Sequence, residues 1–392
     1  MIPSQHAIAR MLVRFAAALL PSPMRQWGQA MRHELEAIDA NDSPVRYALG
    51  CVIGAIHVAS GFYFARPEIG EEEGDMEPAD GFPARAPMVA CICAVLATGL
   101  GIVYLTLADA PARYAIMNLA ALAIGLACVG ISVTLASRYR VPDAAIVLAA
   151  SLCLLATTML GTRVEGATRW VSLAGVFIQP SLILVPLLAM RFVRAPSLVP
   201  TLGIVIAAIA LALQPDRAMT GALALAMVAL FAIRRERNAA IAAAAAVGAF
   251  GIALLRPDRQ AASPHVDQIF YTAFDTHMLA GAAVVAGACV MLVPALAGWA
   301  WDRSNRASHA VFGAMWLAII AAAALGNYPT PLVGYGGSAI IGYVLCLLGW
   351  PAPAKRASGS GGVADQSRFR RRSSHQAMRS AMRFSMPRSV GA

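Results

Sequence analysis

The chain has 392 residues, of which 59% are hydrophobic and only 13% charged, against about 25% charged in an ordinary soluble domain, so a soluble globular protein and a disordered one are both excluded. The formal charge of +10 does not indicate nucleic acid: nine basic residues from Lys355 onward face one acid, Asp365, so the tail alone holds +8, and no aromatic interleaving or folded basic module accompanies it. All seven cysteines (Cys51, Cys91, Cys93, Cys128, Cys153, Cys289, Cys346) lie in apolar stretches, where a thiol packs as a small hydrophobe, so neither a disulfide scaffold nor a metal site is expected.

Residues 1–45 form a soluble-looking prefix. No cleavable signal peptide is expected, because the apolar run 7–20 is interrupted by Arg10 and Arg14. Ser22 and Pro23 suit a helix cap and first turn. Beyond them Met24, Trp27, Met31, Leu35 and Ile38 share one face, and Arg32 and Glu36 pair on the other. An amphipathic packed helix is predicted. Residues 46–65 are apolar enough for an extra span, with Gly50 and Gly54 at the spacing that allows close helix approach. The segment 66–86, with seven acids against two arginines over 66–85, reads as a disordered linker.

From Pro87 onward ten spans are predicted: 87–108, 114–136, 144–160, 177–192, 198–213, 218–233, 238–255, 275–299, 308–326 and 334–350. The expected fold is all-α, a polytopic membrane helix bundle. The Ser-, Gly- and Arg-rich tail, 351–392, is expected to be disordered and to lie against anionic membrane lipid on the cytoplasmic side. That orientation puts Arg138, Arg140, Arg191, Arg194, Arg234, Arg235, Arg237, Arg303 and Arg306 in inside loops, against Arg113, Arg163, Arg169, Arg217, Arg256 and Arg259 outside, nine to six.

Polar residues concentrate in four outside stretches, while a phosphate loop, an HExxH helix and a CxxC pair are all missing. In the first, residues 161–181, Arg163, Glu165, Arg169 and Trp170 precede Gln179, Pro180 and Ser181. Two guanidiniums beside a Trp suit a clamp for a phosphate-bearing head group, or else snorkelling arginines in an aromatic belt. The second, LQPDR at 213–217 with Asp216, has the chemistry of a turn. The third, residues 256–277, holds Asp258, His265, Asp267, Asp275 and His277. A helix beginning near His265 would put Asp267 and Asp275 on one face, two turns apart, where Asp, His and Asp suit general base catalysis or a divalent cation, or are simply solvated loop charges. In the fourth, Gly334, Tyr335, Gly336, Gly337 and Ser338 open the last span with little side-chain bulk. They form an anion site at a helix N-terminus or merely a close-packing point.

Taken in order, VEGATRWVSLAG, QPS, LQPD, HVDQIF with Asp275 eight residues after Asp267, and PLVGYGGSAI resemble the signature stretches of the SEDS family (shape, elongation, division and sporulation; the FtsW and RodA type). The resemblance covers about residues 87–350 and includes the count of ten spans. It implies a bacterial inner-membrane glycosyltransferase that polymerises undecaprenyl-linked lipid II into peptidoglycan, with a class B penicillin-binding protein as partner. Asp267 falls on the family's essential loop aspartate, where it would deprotonate the acceptor hydroxyl, and Asp275 on the acidic position after it. Arg163 or Arg169 would neutralise the leaving pyrophosphate. Trp170, Gln179, Asp216, His265, Tyr335, Gly336, Gly337 and Ser338 fall on supporting positions. A divalent cation is compatible with such a site, and no other cofactor is implied.

The sequence also departs from the family. Leu182 and Val185 stand where Glu and Lys are usual, Gly334 replaces a Ser, and Arg217 with Ala218 replaces an apolar residue and Gly. The outer segment before Asp267 has shrunk to residues 256–264. These departures leave open a competing reading, a non-catalytic scaffold or lipid-precursor-binding subunit. A small-molecule transporter is disfavoured because the two halves show no repeat.

Overall fold

The computed structural model describes residues 82–350, apart from 137, 140, 165–166, 174 and 258–259, together with 24–38 and scattered positions in 6–20 and 44–55. Ser22, Pro23, most of the extra span 46–65, the linker up to residue 81 and the basic tail 351–392 lie outside the described residues. The chain divides into two compact units, Met1–Phe82 and Pro83–Ala392.

In the first unit, α1 (Arg25–Glu36) starts from Met24, whose side chain makes no capping bond. Leu35 is buried, Met24, Met31 and Ile38 are half-buried, and Trp27 is exposed, so the predicted apolar face is only partly covered. Arg32 Nε donates to the Gly28 carbonyl at 3.0 Å, and the Tyr47 hydroxyl donates to Glu34 Oε2 at 2.6 Å.

The second unit is the helical bundle. Its helices are α2 (Phe82–Leu107), α3 (Ala112–Ala136), α4 (Asp143–Leu160), α5 (Pro180–Phe192), α6 (Leu198–Leu213), α7 (Arg217–Arg234), α8 (Arg237–Leu255), the short α9 (Ile269–Thr276), α10 (Met278–Trp301), α11 (Arg306–Leu325) and α12 (Gly337–Cys346). Seven of them are long and apolar enough to cross a membrane, and α5, α6 and α12 are shorter apolar helices. The fold is therefore an all-α polytopic membrane bundle, with apolar side chains all round its helices. All seven cysteines are free thiols.

Helix α5 sits at the centre and packs against α4, α6, α7, α11 and α12. Its Ser181, Leu182, Val185, Leu188, Ala189, Met190 and Phe192 are all buried. At Gly342 of α12 a Cβ would fall 1.9 Å from the Leu182 carbonyl oxygen, so only glycine admits this approach of α12 to α5.

Two expectations are corrected. Stretch 161–178 is not plain loop: β1 (Thr162–Val164), β2 (Ala167–Leu173) and β3 (Val176–Ile178) form a three-stranded antiparallel sheet in the order β1-β2-β3, and α5 consequently starts at Pro180 rather than 177. The span expected at 275–299 is present as α10 but starts three residues later, at Met278. His277 is extended (φ −161°, ψ 138°) and its Nδ1 accepts from Leu279 N at 3.0 Å, so α9 ends and α10 begins around it.

Alternate loops gather at opposite ends. At one end, Arg169 of β2 reaches Gln214 between α6 and α7, and Gln260 between α8 and α9, while Gln179 meets Ser338 at the start of α12. At the other, Arg191 and Arg194 pair with Asp143 at 2.8 and 3.1 Å, Asn238 donates to Pro196 O, and Arg194 donates to Trp350 O.

Candidate functional site

Three of the four sequence stretches meet in one buried network at the start of α5. Asp216 is fully buried. Its Oδ1 accepts from Met219 N at 3.1 Å, which caps α7. Its Oδ2 accepts from Ser181 Oγ at 2.9 Å and Gln179 Nε2 at 3.2 Å. The Gln179 backbone N–H donates to Ser338 Oγ at 3.0 Å. Thus the QPS, LQPD and YGGS stretches are tied by side chains that satisfy one another, which a buried carboxylate requires.

The third stretch builds a separate cavity. Residues 262–265, Asp267, Gln268, Thr272 and Thr276 line a space of about 300 Å³ with Tyr104 and Ala108 from the end of α2. Ile269 and Ala273, one turn apart, bury the inner face of α9 against Tyr104, Leu105, Ala280, Val284 and Val333, and this apolar contact seats the loop. His265 and Gln268, which flank Asp267, adopt left-handed φ of 61° and 58°. Non-glycine residues hold that conformation when surroundings over-determine it, commonly at functional sites. Those surroundings come from the last loop: Tyr335 N donates to His265 O at 2.8 Å, and Thr330 N to Val266 O at 2.9 Å.

The aromatic wall of this region is Tyr114, whose ring stacks on Tyr335 (3.9 Å, 12°) and meets His265 edge-on at 6.1 Å. Arg113 lies 5.4 Å over the Tyr114 ring. Asp267 Oδ2 accepts from Ser263 N at 2.8 Å. Burial raises the Asp267 carboxyl above the ordinary carboxylate range, and the Ser263 hydrogen bond offsets this in part. A carboxylate so placed takes a proton more readily than a solvated one.

Other candidates fall elsewhere. Asp275 is exposed on α9 and does not line the Asp267 cavity. The predicted shared face does not exist, because the helix begins at Ile269, after Asp267 rather than before it. Arg169 is buried, 2% exposed. Its Nε donates to Gln214 O at 3.2 Å, Nη2 to Pro215 O, and Nη1 to Gln260 Oε1 at 3.2 Å, so its guanidinium holds loops together and is not open to a pyrophosphate. Arg163 is exposed on β1 and Trp170 half-buried on β2; Glu165 and Asp258 lie outside the described residues. Gly336 N donates to Asn118 Oδ1 at 3.2 Å and Gly334 N to Thr330 O at 3.2 Å. With Tyr335 N also engaged, the N–H groups of 334–336 are not open to an anion, and α12 starts at Gly337 rather than at 334.

Sequence reasoning missed Asn118, Gln260, Asn327 and Arg113. Asn118, fully buried in α3, brackets the last loop by donating to Gly334 O at 2.9 Å as well as accepting from Gly336. A lone amide inside an apolar span was its available signal. Among the described residues no group of three His, Cys, Asp or Glu side chains is placed to hold a metal ion, and with Asp275 outside the cavity the donors around Asp267 do not fit a divalent cation.

These observations define a multi-pass all-α bundle with a half-buried acid at a cavity at one end. Among solved structures, the chain is similar to rod shape determining protein RodA of Thermus thermophilus, at 20% identity over 66% of this chain and 93% of that one, with a TM-score of 0.47. It is similar also to a point variant of that protein, at 22% identity over 66% and 94%, again with a TM-score of 0.47. No family model and no curated protein matches the chain.

Proposed function

We propose that this protein is a SEDS-type glycosyltransferase of the bacterial inner membrane that polymerises undecaprenyl-linked lipid II in cell-wall synthesis. The observation that carries the reading is Asp267, half-buried at a cavity and seated between two left-handed residues that the last loop holds in place. In the reaction an acceptor sugar hydroxyl attacks the anomeric carbon of the donor, its proton passes to Asp267, and the lipid pyrophosphate leaves with inversion. Among the described residues, Arg163 and Arg113, both exposed at this end, are the arginines proposed to meet the pyrophosphate in place of Arg169. A class B penicillin-binding protein is the proposed partner.

The test is polymerisation of labelled lipid II by the purified protein, with and without such a partner. Asp267→Asn keeps size and most hydrogen bonding but removes the base, so turnover should fall by about 10² to 10⁴ while expression and insertion stay normal. Unchanged turnover in that variant overturns the site assignment.

A second reading, a non-catalytic scaffold or precursor-binding subunit, is favoured by Leu182 and Val185, both buried in the central helix where the family resemblance leads one to expect Glu and Lys. Under it the parent polymerises nothing with any partner, and Asp267→Asn supports growth as well as the parent does.

A further inference from the structure

The loop that carries Asp267 is short, and side chains from other elements hold it at Arg256, Gln260 and Gln268. Where it leaves α8, Arg256 Nη1 donates to the carbonyls of Ala212 and Leu213 at the end of α6, both at 2.9 Å. Arg217 of α7 in turn donates to the carbonyls of Ala253, Leu254 and Arg256 at 3.2, 3.3 and 2.5 Å. Each guanidinium therefore sits on the carbonyl-rich end of a neighbouring helix, where a cation is favoured.

The middle of the loop is held through Gln260. Its Oε1 accepts from Arg169 Nη1 at 3.2 Å, and its backbone carbonyl accepts from Asn327 Nδ2 at 2.9 Å. Asn327 Oδ1 accepts from Gln268 Nε2 at 2.6 Å. Gln268 is the residue after Asp267 and one of the two left-handed positions beside it. Arg169 is itself fixed by the Gln214 and Pro215 carbonyls. A continuous path thus runs from the end of α6 through Arg169, Gln260, Asn327 and Gln268 to the residue beside Asp267.

We propose that Gln260 is a positioning residue: it couples the buried Arg169 and the α11–α12 loop to the Asp267 segment and sets where that carboxylate lies in its cavity. The inference rests on Asp267 being the base of the proposed reaction. The Gln260 side-chain acceptor makes the bond to Arg169, while the bond from Asn327 falls on the Gln260 backbone carbonyl and survives substitution. Gln260→Met keeps the length and removes the acceptor, whereas Gln260→Glu keeps it and strengthens the bond to a guanidinium.

Two measurements on the full-length protein in lipid nanodiscs test this. The first is amide hydrogen exchange over residues 262–272. Gln260→Met should speed exchange there by about fivefold or more while α6, α7 and α8 stay as protected as in the parent, because local opening costs less than global unfolding. Gln260→Glu should match the parent. The second is lipid II polymerisation. The Met variant should lose about tenfold in kcat with KM within about twofold, since a misplaced catalytic group costs rate rather than binding. Its acid limb should move to lower pH as water reaches Asp267, and Gln260→Glu should restore both.

Unchanged exchange over 262–272, or a rise spread evenly over all helices, overturns the positioning role. So does a Met variant with parental kcat and pH profile in an active protein. If the parent polymerises nothing, the catalytic reading of Asp267 falls, and the exchange measurement still decides whether Gln260 fixes that loop.

Discussion

Asp216 and Asp267 are both loop aspartates at the same end of the bundle, and their neighbours give them opposite uses. Asp216 has both oxygens engaged, by a helix N-terminus on one side and by Ser181 and Gln179 on the other, so it is an anchor and cannot also receive a substrate proton. Asp267 is held by the Ser263 amide and lines a cavity, with burial raising its carboxyl and the amide offsetting part of that. A base must be ionised to act. The acid limb of the pH–rate profile is therefore expected above the ordinary carboxylate range, activity rising with pH as Asp267 loses its proton. A limb at the ordinary value or below it would show that Asp267 is hydrated during turnover. The residue types of the site were legible in the sequence because Asp, Gln and Ser are conspicuous among apolar spans. Their roles were not, since the partners of Gln179 lie 37 and 159 residues away, and Arg169, which reads as an interfacial clamp, is buried by loops that no local pattern specifies.

At the scale of elements, hydropathy located the spans well because each helix is closed on itself and needs no distant partner to declare its type. It placed one start too early: His277 is extended and its side chain caps α10, so the helix begins at Met278 rather than at 275. The small sheet was hidden because the polar residues of 161–173 suggested loop, although Ala167 and Arg169 alternate inward as β2 requires. The turn between α10 and α11 holds another element-level device that the sequence did not announce. Asp302 and His309 are 2% and 0% exposed and lie 3.0 Å apart, with the Trp350 ring edge-on to His309 at 5.2 Å. Burial alone would raise the Asp302 carboxyl, but hydrogen bonds from His309, Ser304 and Asn305 outweigh it and hold the carboxyl below its ordinary value. A carboxyl that titrates lower in the folded chain contributes stability above its unfolded pKa and loses it as pH falls through the folded one. Asp302→Asn should therefore lower stability near neutral pH by about 1–3 kcal/mol, read as a drop in Tm in detergent, and the gap from the parent should narrow on acidification. A gap that stays constant with pH would show that packing, not charge, is what the carboxylate supplies.

For the whole molecule, the alternation of loops between two ends gives the bundle two chemically different faces, and the positive-inside rule predicts its orientation from which one is richer in positive charge. The sequence count of nine arginines against six is a weak bias, but the structure sharpens it. Of the five described at the Asp267 end, Arg169, Arg217 and Arg256 are committed to backbone carbonyls at the ends of α6 and α8. Their charges are met by helix termini inside the protein rather than by anionic lipid. At the opposite end Arg191 and Arg194 share Asp143, and most of the other arginines there, Arg138, Arg234, Arg235, Arg303 and Arg306 among them, are half-buried or exposed. Nine more basic residues follow from Lys355 onward. The positive-inside rule counts such residues near the ends of spans, and the count now favours one orientation more strongly than the bare sequence did. A reporter fused after residue 353 is therefore expected in the cytoplasm, and one inserted near Ala262 outside it. This same orientation puts Asp267 where a cell-wall glycan can reach it. Substituting the exposed arginines at the tail end should weaken the bias, whereas replacing Arg217 or Arg256 should disturb folding and leave it in place. If the two reporters came out reversed, the glycosyl-transfer mechanism would fail with the topology, since its base would face the wrong compartment.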